Sequence, residues 1–360
     1  MGERVLWSER VRLRRGLQVC AVGVVVAFAA VAAILDSPVA DAAFSGRNGA
    51  LVFENRGTPW MINPDASGRA RVRIKPVKSQ PYVNALASSP DGKTIAFLDG
   101  NGRGADLYIT AAYRAAGQRF VRPRLLTRDA GLSDGQSSRI SWSRDGREIV
   151  FQRDNEIRAI RRDGTGVRRI LRLRPTSRRF GEDIYYGSAD PAWSPDGRRV
   201  VFAGVPAGVG EACPSILTAR AGGGDERRVT PPQPLPPDPE SVSCPTRESS
   251  PAWSPDGSRI AFVRLRESSD GDVWVARANG GGETRIAERK SRRVGWSRVV
   301  WSPDGRKIAA TLGGGIWVMN PDGSRKRRVM IGNGHVEIAT DIDWQRCVAR
   351  RPCGVPRGSR

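Results

Sequence analysis

Five near-copies of one stretch constrain what this chain can become. They read ALASSPDGKTIAF from Ala85, RISWSRDGREIVF from Arg139, DPAWSPDGRRVVF from Asp190, SPAWSPDGSRIAF from Ser250 and RVVWSPDGRKIAA from Arg298. A motif that returns this often marks one supersecondary unit stacked on itself. Inside it, Ser194-Pro195-Asp196-Gly197 has tight-turn chemistry. Proline presets φ, aspartate bonds its own backbone and glycine accepts positive φ. After the turn, Val200 and Phe202 alternate with Val201, the period of a strand.

A second signature follows each copy. It is clearest in GIWVMNPDGS from Gly315, and relatives are DVWVARANG from Asp272, EIRAIRRDG from Glu156 and ADLYI from Ala105. A basic or polar strand then follows, as at Arg227-Arg228-Val229-Thr230. Strand, turn and strand, doubled, give four short strands per unit, the content of one antiparallel propeller blade. The two chain ends supply a sixth. Ala50–Phe53 and Trp60–Asp65 have the later strands of a blade without its leading strand. Thr340–Gln345 matches only a leading strand, with Trp344 in the place of Trp193. The expected fold is all-β: a six-bladed β-propeller of four-stranded antiparallel blades. The ring is expected to close by pairing of the C-terminal strand with the first blade, which removes exposed edges. Six units of roughly 40–50 residues fill most of the 360-residue chain as one domain.

Residues 1–42 read differently. Arg10, Arg12, Arg14 and Arg15 precede an apolar run from Val19 to Leu35, then Pro38 and the A-x-A of Ala40-Asp41-Ala42. This order predicts a secretory signal. The run also approaches the ~18 residues of a membrane span, so an uncleaved anchor is the alternative. Arg14-Arg15 ahead of Leu17 carries a weak twin-arginine signal, and Cys20 starts the apolar run instead of ending it, against a lipoprotein site. The expected divisions are a leader at 1–42, a propeller at 43–345 and a basic tail at 346–360. The expected location is extracytoplasmic: periplasmic, secreted or cell-surface associated.

The formal net charge is +22, and removing the five arginines and four acids of the leader leaves +21. That imbalance predicts an acidic partner, either a protein or an anionic envelope polymer. Nucleic acid is not expected, since export argues against it and no interleaved aromatic patch appears. Membrane contact is expected only through an uncleaved N-terminal segment, and the expected state is a monomer. Cys213, Cys244, Cys347 and Cys353 remain outside the leader, an even number compatible with disulfides in three connectivities. A Cys213–Cys244 bond would tether the loop containing Pro231–Pro239, and Cys347–Cys353 would close the tail.

Catalytic signatures are sparse. His335 is the single histidine and sits in a Gly-Asn-Gly-His turn, so a triad built on it is not expected. No G-x-S-x-G elbow occurs, and no C-x-x-C spacing suggests zinc. No cofactor, metal or catalytic residue is assigned. The repeated Asp91, Asp145, Asp196, Asp256 and Asp304, with Gly92, Gly146, Gly197, Gly257 and Gly305, are read as turn formers. Trp142, Trp193, Trp253, Trp301 and Trp344 are read as packing between strands or blades. Function is sought instead in the fourth-blade insertion, the second-blade linker (Tyr113–Arg124) and the basic faces.

The PAWSPDG…IAF block followed by IWVMNPDGS resembles the WD-like repeat of TolB-type six-bladed propellers, over roughly residues 46–345. Ser88 replaces the tryptophan in the first full copy and Arg144 the proline in the next. The resemblance implies an extracytoplasmic propeller that binds proteins or envelope components without catalysis. Only a few residues separate the leader from the first blade, so neither the separate N-terminal domain of TolB nor a role in the Tol–Pal system is expected. Two alternatives stand beside the scaffold. One is a propeller enzyme of lyase, hydrolase or lactonase type with an acidic channel site. The other is a membrane-anchored sensor or accessory ectodomain.

Overall fold

The structure is a computed structural model. It describes residues 47–347 and Val355, apart from 73, 75–82, 101–103, 112–121, 131–137, 180–181, 186–187, 209–211, 233–243, 245, 267–270, 290–293 and 331–338. The leader, most of the second-blade linker, the core of the proline-rich insertion, His335, Cys353 and the rest of the tail lie outside the described residues. All described residues belong to one compact unit, Ala42–Arg360.

The chain is built from short strands. The first are β1 (Arg47–Asn55), β2 (Thr58–Ile62) and β3 (Arg69–Arg71), then β4 (Val83–Ser88), β5 (Thr94–Gly100), β6 (Ala105–Ala111) and β7 (Arg124–Thr127). Next come β8 (Ser141–Trp142), β9 (Glu148–Arg153), β10 (Glu156–Arg161) and β11 (Arg168–Arg172), and a hairpin of β12 (Ser177–Arg179) and β13 (Glu182–Ile184). They are followed by β14 (Ala192–Trp193), β15 (Arg199–Gly204), β16 (Ser215–Arg220) and β17 (Arg227–Arg228). The last are β18 (Thr246–Trp253), β19 (Arg259–Arg266), β20 (Gly271–Arg277), β21 (Thr284–Ala287), β22 (Trp296–Trp301), β23 (Ile308–Leu312), β24 (Gly315–Met319), β25 (Arg327–Met330) and β26 (Ala339–Cys347).

These strands form antiparallel four-stranded sheets of the propeller type. Four are separate: β4–β7, β8–β11, β14–β17, and a sheet in the order β26-β1-β2-β3. The last pairs Trp344 with Leu51 and Ile342 with Phe53, so the two ends of the described chain share one sheet. The strands from β18 to β25 form one eight-stranded sheet rather than two separate blades. Its halves are two four-stranded meanders that meet at a single pairing, Gly271 with Trp296.

The turn sequence builds itself locally. In each full copy the serine hydroxyl donates to the turn aspartate, at 2.5–2.7 Å, from Ser89, Ser143, Ser194, Ser254 and Ser302 to Asp91, Asp145, Asp196, Asp256 and Asp304. The amide two residues past the aspartate donates to the same carboxylate, as from Arg198 to Asp196 at 3.0 Å. Gly197 takes φ +69°, which a β-carbon would strain. Pro195 is dispensable to this network, since the copy with Arg144 makes the same bonds.

The core lies between sheets. Val200 and Phe202 pack toward β9–β11, whereas Val201 and Ala203 pack toward β19 and β20. Strand alternation therefore separates two apolar layers instead of core from solvent, and this explains why the run is apolar throughout. Six such apolar clusters each join two successive meanders, and one of them joins β1–β2 to β4–β6. Trp142 packs in the layer between β4–β7 and β8–β9 and donates its indole N–H to the Ala87 carbonyl at 3.1 Å.

Outer strands are clamped to the next meander's turn. Arg124 donates to the Asp163 carbonyl at 2.9 Å, Arg168 to the Ala221 carbonyl at 2.7 Å and Arg327 to the Pro64 carbonyl at 2.6 Å. Gly323, at φ +81°, lets its turn sit against Ile286, whose carbonyl oxygen lies 2.0 Å from where a β-carbon would be.

Candidate functional site

The innermost strands converge on a cluster of buried charges. Its members stand three residues before each repeat tryptophan: Arg139, Asp190, Ser250, Arg298 and Asp341. The first full copy has Ala85 at this place, three before Ser88. Arg298 donates to Asp190 at 2.9 Å, and its Nε lies 3.7 Å from Asp341. Arg139 donates to the Val299 carbonyl at 3.0 Å and reaches the carbonyls of Pro251 and Ile342 at 3.5 Å. Asp190 also accepts from the amides of Arg139, at 3.1 Å, and Ser250, at 3.0 Å. Asp341 and Asp343 accept from the amides of Leu86, at 2.9 Å, and Ser88, at 2.6 Å. Every four-stranded meander contributes at least one group.

Backbone geometry at two of these positions serves the cluster. Asp190 sits at φ +47° and Ser250 at φ +53°. Such values are uncommon outside glycine and are tolerated best by Asn and Asp. The electrostatics follow burial. Desolvation pushes the Asp341 carboxyl above its usual range, against the pull of Arg298 and Arg139. Burial likewise pushes Asp343 up, against the Ser88 amide. Burial opposes the charge on Arg298, but Asp190 and Asp341 hold its guanidinium protonated more firmly than usual.

A cavity of about 130 Å³ opens beside this cluster, lined by Trp142, Trp193, Trp253, Trp301 and Trp344, with Arg139, Asp343 and Arg346 at its polar wall. The five repeat tryptophans thus come together around one opening. The indole N–H of Trp344 donates to the Gly49 carbonyl at 3.2 Å, while those of Trp193, Trp253 and Trp301 are buried without a partner. The turn serines and prolines Ser89, Pro90, Pro255, Ser302 and Pro303 reach this cavity, whereas the turn aspartates and glycines do not line it: each turn aspartate is bonded within its own turn, and Asp91 also lies 3.6 Å from Arg162 of the next meander. Cys213 and Cys244 are bonded, with Cα atoms 5.6 Å apart, at the two ends of the insertion. Cys347 is also disulfide-bonded; its expected partner Cys353 lies outside the described residues. Among the described residues, no group of three or more His, Cys, Asp or Glu is placed to hold a metal ion.

The charged cluster was missed by reading each repeat singly. Aligning the copies on tryptophan shows the signal: the third position before it reads Ala, Arg, Asp, Ser, Arg and Asp, polar in five of six.

Carboxylates outside the cluster report on acid stability. Burial pushes Asp196 up, but hydrogen bonds from Ser194 and the Arg198 amide bring it below its usual range, and Asp91, Asp145 and Asp256 behave alike. Asp225 is held at about 2 by hydrogen bonds from Arg199 and Arg227. A folded value below the unfolded value of about 3.9 means that this contribution is complete above that pH and is lost as pH falls toward 2. Asn tolerates the φ of +46° at this position. The stability gap between the native protein and Asp225→Asn, measured by urea unfolding, is therefore expected to close between pH 4 and 2. A gap unchanged across that range contradicts the assignment.

No family model matches the chain. It is 36% identical over 88 residues to the Tol-Pal system protein TolB of Anaeromyxobacter dehalogenans, covering 22% of this chain and 18% of that protein. It is 33% identical over 66 residues to the uncharacterized peptidase YuxL of Bacillus subtilis, covering 18% of this chain and 10% of that protein. The matches therefore span less than a fifth of either relative. The crystal structure of TolB from Acinetobacter baumannii superposes with a TM-score of 0.58 at 20% identity, over 84% of this chain and 67% of that one.

Proposed function

We propose that this chain, a TolB-like β-propeller in fold, is an exported non-catalytic scaffold that binds a protein or an anionic component of the cell envelope. In this reading the two halves of the eight-stranded sheet are two blades, so the propeller has six. Pairing of β26 with β1, and the apolar layer between β1–β2 and β4–β6, support a closed ring. The leader pattern in residues 1–42 supports export.

The observation that carries the binding reading is the state of the inner carboxylates. An acidic channel enzyme needs carboxylates free to act as acid, base or metal ligand. Here Asp190 is engaged by Arg298 and two amides, Asp341 by Arg298 and an amide, and Asp343 by an amide. These bonds between strands, chiefly those of Asp190 and Arg298, favour a structural over a catalytic use of the inner charges.

The test is retention of the protein on isolated envelopes at rising salt. Attraction between exposed charges is screened within about 8 Å at physiological ionic strength and about 3 Å at 1 M. Retention is expected at low salt and release by about 0.5 M. Retention that salt does not change rules out an anionic partner, and no retention at any salt rules out the scaffold reading.

A further inference from the structure

Two arginines stand in the wall of the tryptophan-lined cavity, and they differ. Arg139 is buried and donates to the carbonyls of Pro251, Val299 and Ile342. Arg346 is half-buried, and its guanidinium makes no hydrogen bond or ion pair among the described residues. Its Nε is buried without a partner, and so are the indole N–H groups of Trp193, Trp253 and Trp301 in the same wall. Buried donors are rarely left unmet, so four in one wall call for an acceptor. The one acid of the wall, Asp343, is already bonded by the Ser88 amide at 2.6 Å.

The wall is held in place from outside. Arg346 stands near the end of β26, opposite Asn48 of β1. Its neighbour Gln345 donates to the Gly92 carbonyl at 2.9 Å, and Cys347 is disulfide-bonded. Trp142 and Trp344 are fixed by their indole bonds to Ala87 and Gly49. Arg162, Arg168 and Arg259 lie over the rings of Trp142, Trp193 and Trp301, at 5.6, 5.9 and 4.9 Å from their centroids. Side chains so fixed lose little freedom when a ligand enters, which lowers the cost of binding.

We propose that this cavity binds a small aromatic monocarboxylate, with its carboxylate on Arg346 and its ring among the indoles. The site goes beyond the scaffold reading and does not depend on it. Size sets the body of the ligand: the cavity of about 130 Å³ admits about one six-membered ring, since one of about 150 Å³ holds benzene. The wall sets its character. Five indoles with Pro90, Pro255 and Pro303 offer apolar and aromatic contact, which a flat ring uses best. Charge sets its head group. Two arginines and Asp343 leave the wall a formal +1, which one carboxylate balances. A phosphate dianion exceeds that charge and meets Asp343 as a like charge. The free guanidinium offers paired N–H donors that match the two oxygens of a carboxylate.

Benzoate is the probe, with affinity read by calorimetry and contact with the wall by tryptophan fluorescence. It is expected to bind the native protein at least about tenfold more tightly than benzamide, which keeps the ring without the charge, or acetate, which keeps the charge without the ring. Arg346→Gln is expected to weaken benzoate at least about tenfold and to leave benzamide within about threefold, with Arg346→Lys between native and Gln for benzoate. Arg346 has no side-chain partner to lose, so both variants are expected to keep the native circular dichroism spectrum. Arg306→Gln, in a turn outside the wall, controls for net charge and is expected to bind benzoate like the native protein. The proposal is overturned by native protein that does not bind benzoate at about 10 mM. Binding by Arg346→Gln as tight as native also overturns it. Benzamide equal to benzoate rejects the carboxylate, acetate equal to benzoate rejects the ring, and phenyl phosphate tighter than benzoate rejects the monoanion. These ligand comparisons use native protein, so they decide the matter even where a variant does not fold. Envelope retention tests the scaffold reading separately, and its failure leaves benzoate binding untouched.

Discussion

Arg298→Met is expected to destabilise the protein by about 3–5 kcal/mol, the cost of stranding buried charge when one partner of an ion pair is removed. Arg298 is the cation between Asp190 and Asp341, and both carboxylates are 1% exposed. Methionine fills much of the volume, so the loss is electrostatic rather than a cavity effect. Urea unfolding measures it. The second half of the cycle is Asp190→Asn, which tolerates the φ of +47° and removes one stranded charge. The double variant is expected to lose less than the sum of the two singles, with a coupling of about 1–3 kcal/mol. Strict additivity contradicts a direct pair.

Replacing both Cys213 and Cys244 by serine is expected to cost about 3.7 kcal/mol, from the chain entropy released by opening a loop of separation 31. The bond joins the approach to β16 with the approach to β18, in different sheets. Other groups hold the same junction. Glu248 donates its amide to the Pro214 carbonyl at 3.0 Å, and its carboxylate accepts from the Ile216 amide at 2.9 Å and from Thr230 and Arg264. Burial pushes this carboxyl up, against the Arg264 charge. With these contacts intact, the serine variant is expected to keep its native circular dichroism spectrum while its thermal midpoint drops. An unchanged midpoint contradicts the expected role of the bond.

Much of the fold was legible because its causes are local. Ser194 to Gly197 specify a turn through bonds within that same segment, so each copy announces itself. Trp344 matches Trp193 because both occupy the same position in a leading strand, and this match links the two ends of the chain, which pair as β26 and β1. The insertion cysteines flank the only long proline-rich departure. The inner cluster was not legible in the same way. Arg139 alone reads as an ordinary polar residue at the start of a strand. Its partners come from positions 251, 299 and 342, up to about 200 residues away.

The sequence by itself determined the unit: its strands, its turn and the number of times it recurs. Those depend on backbone preference and on contacts a few residues apart. Only the tertiary structure decided what the third position before each tryptophan does. Packing the successive sheets against one another brings Arg139, Asp190, Ser250, Arg298 and Asp341 within bonding distance, where burial makes pairing obligatory. It also decided that Arg124, Arg168 and Arg327 bond a backbone carbonyl of the neighbouring meander.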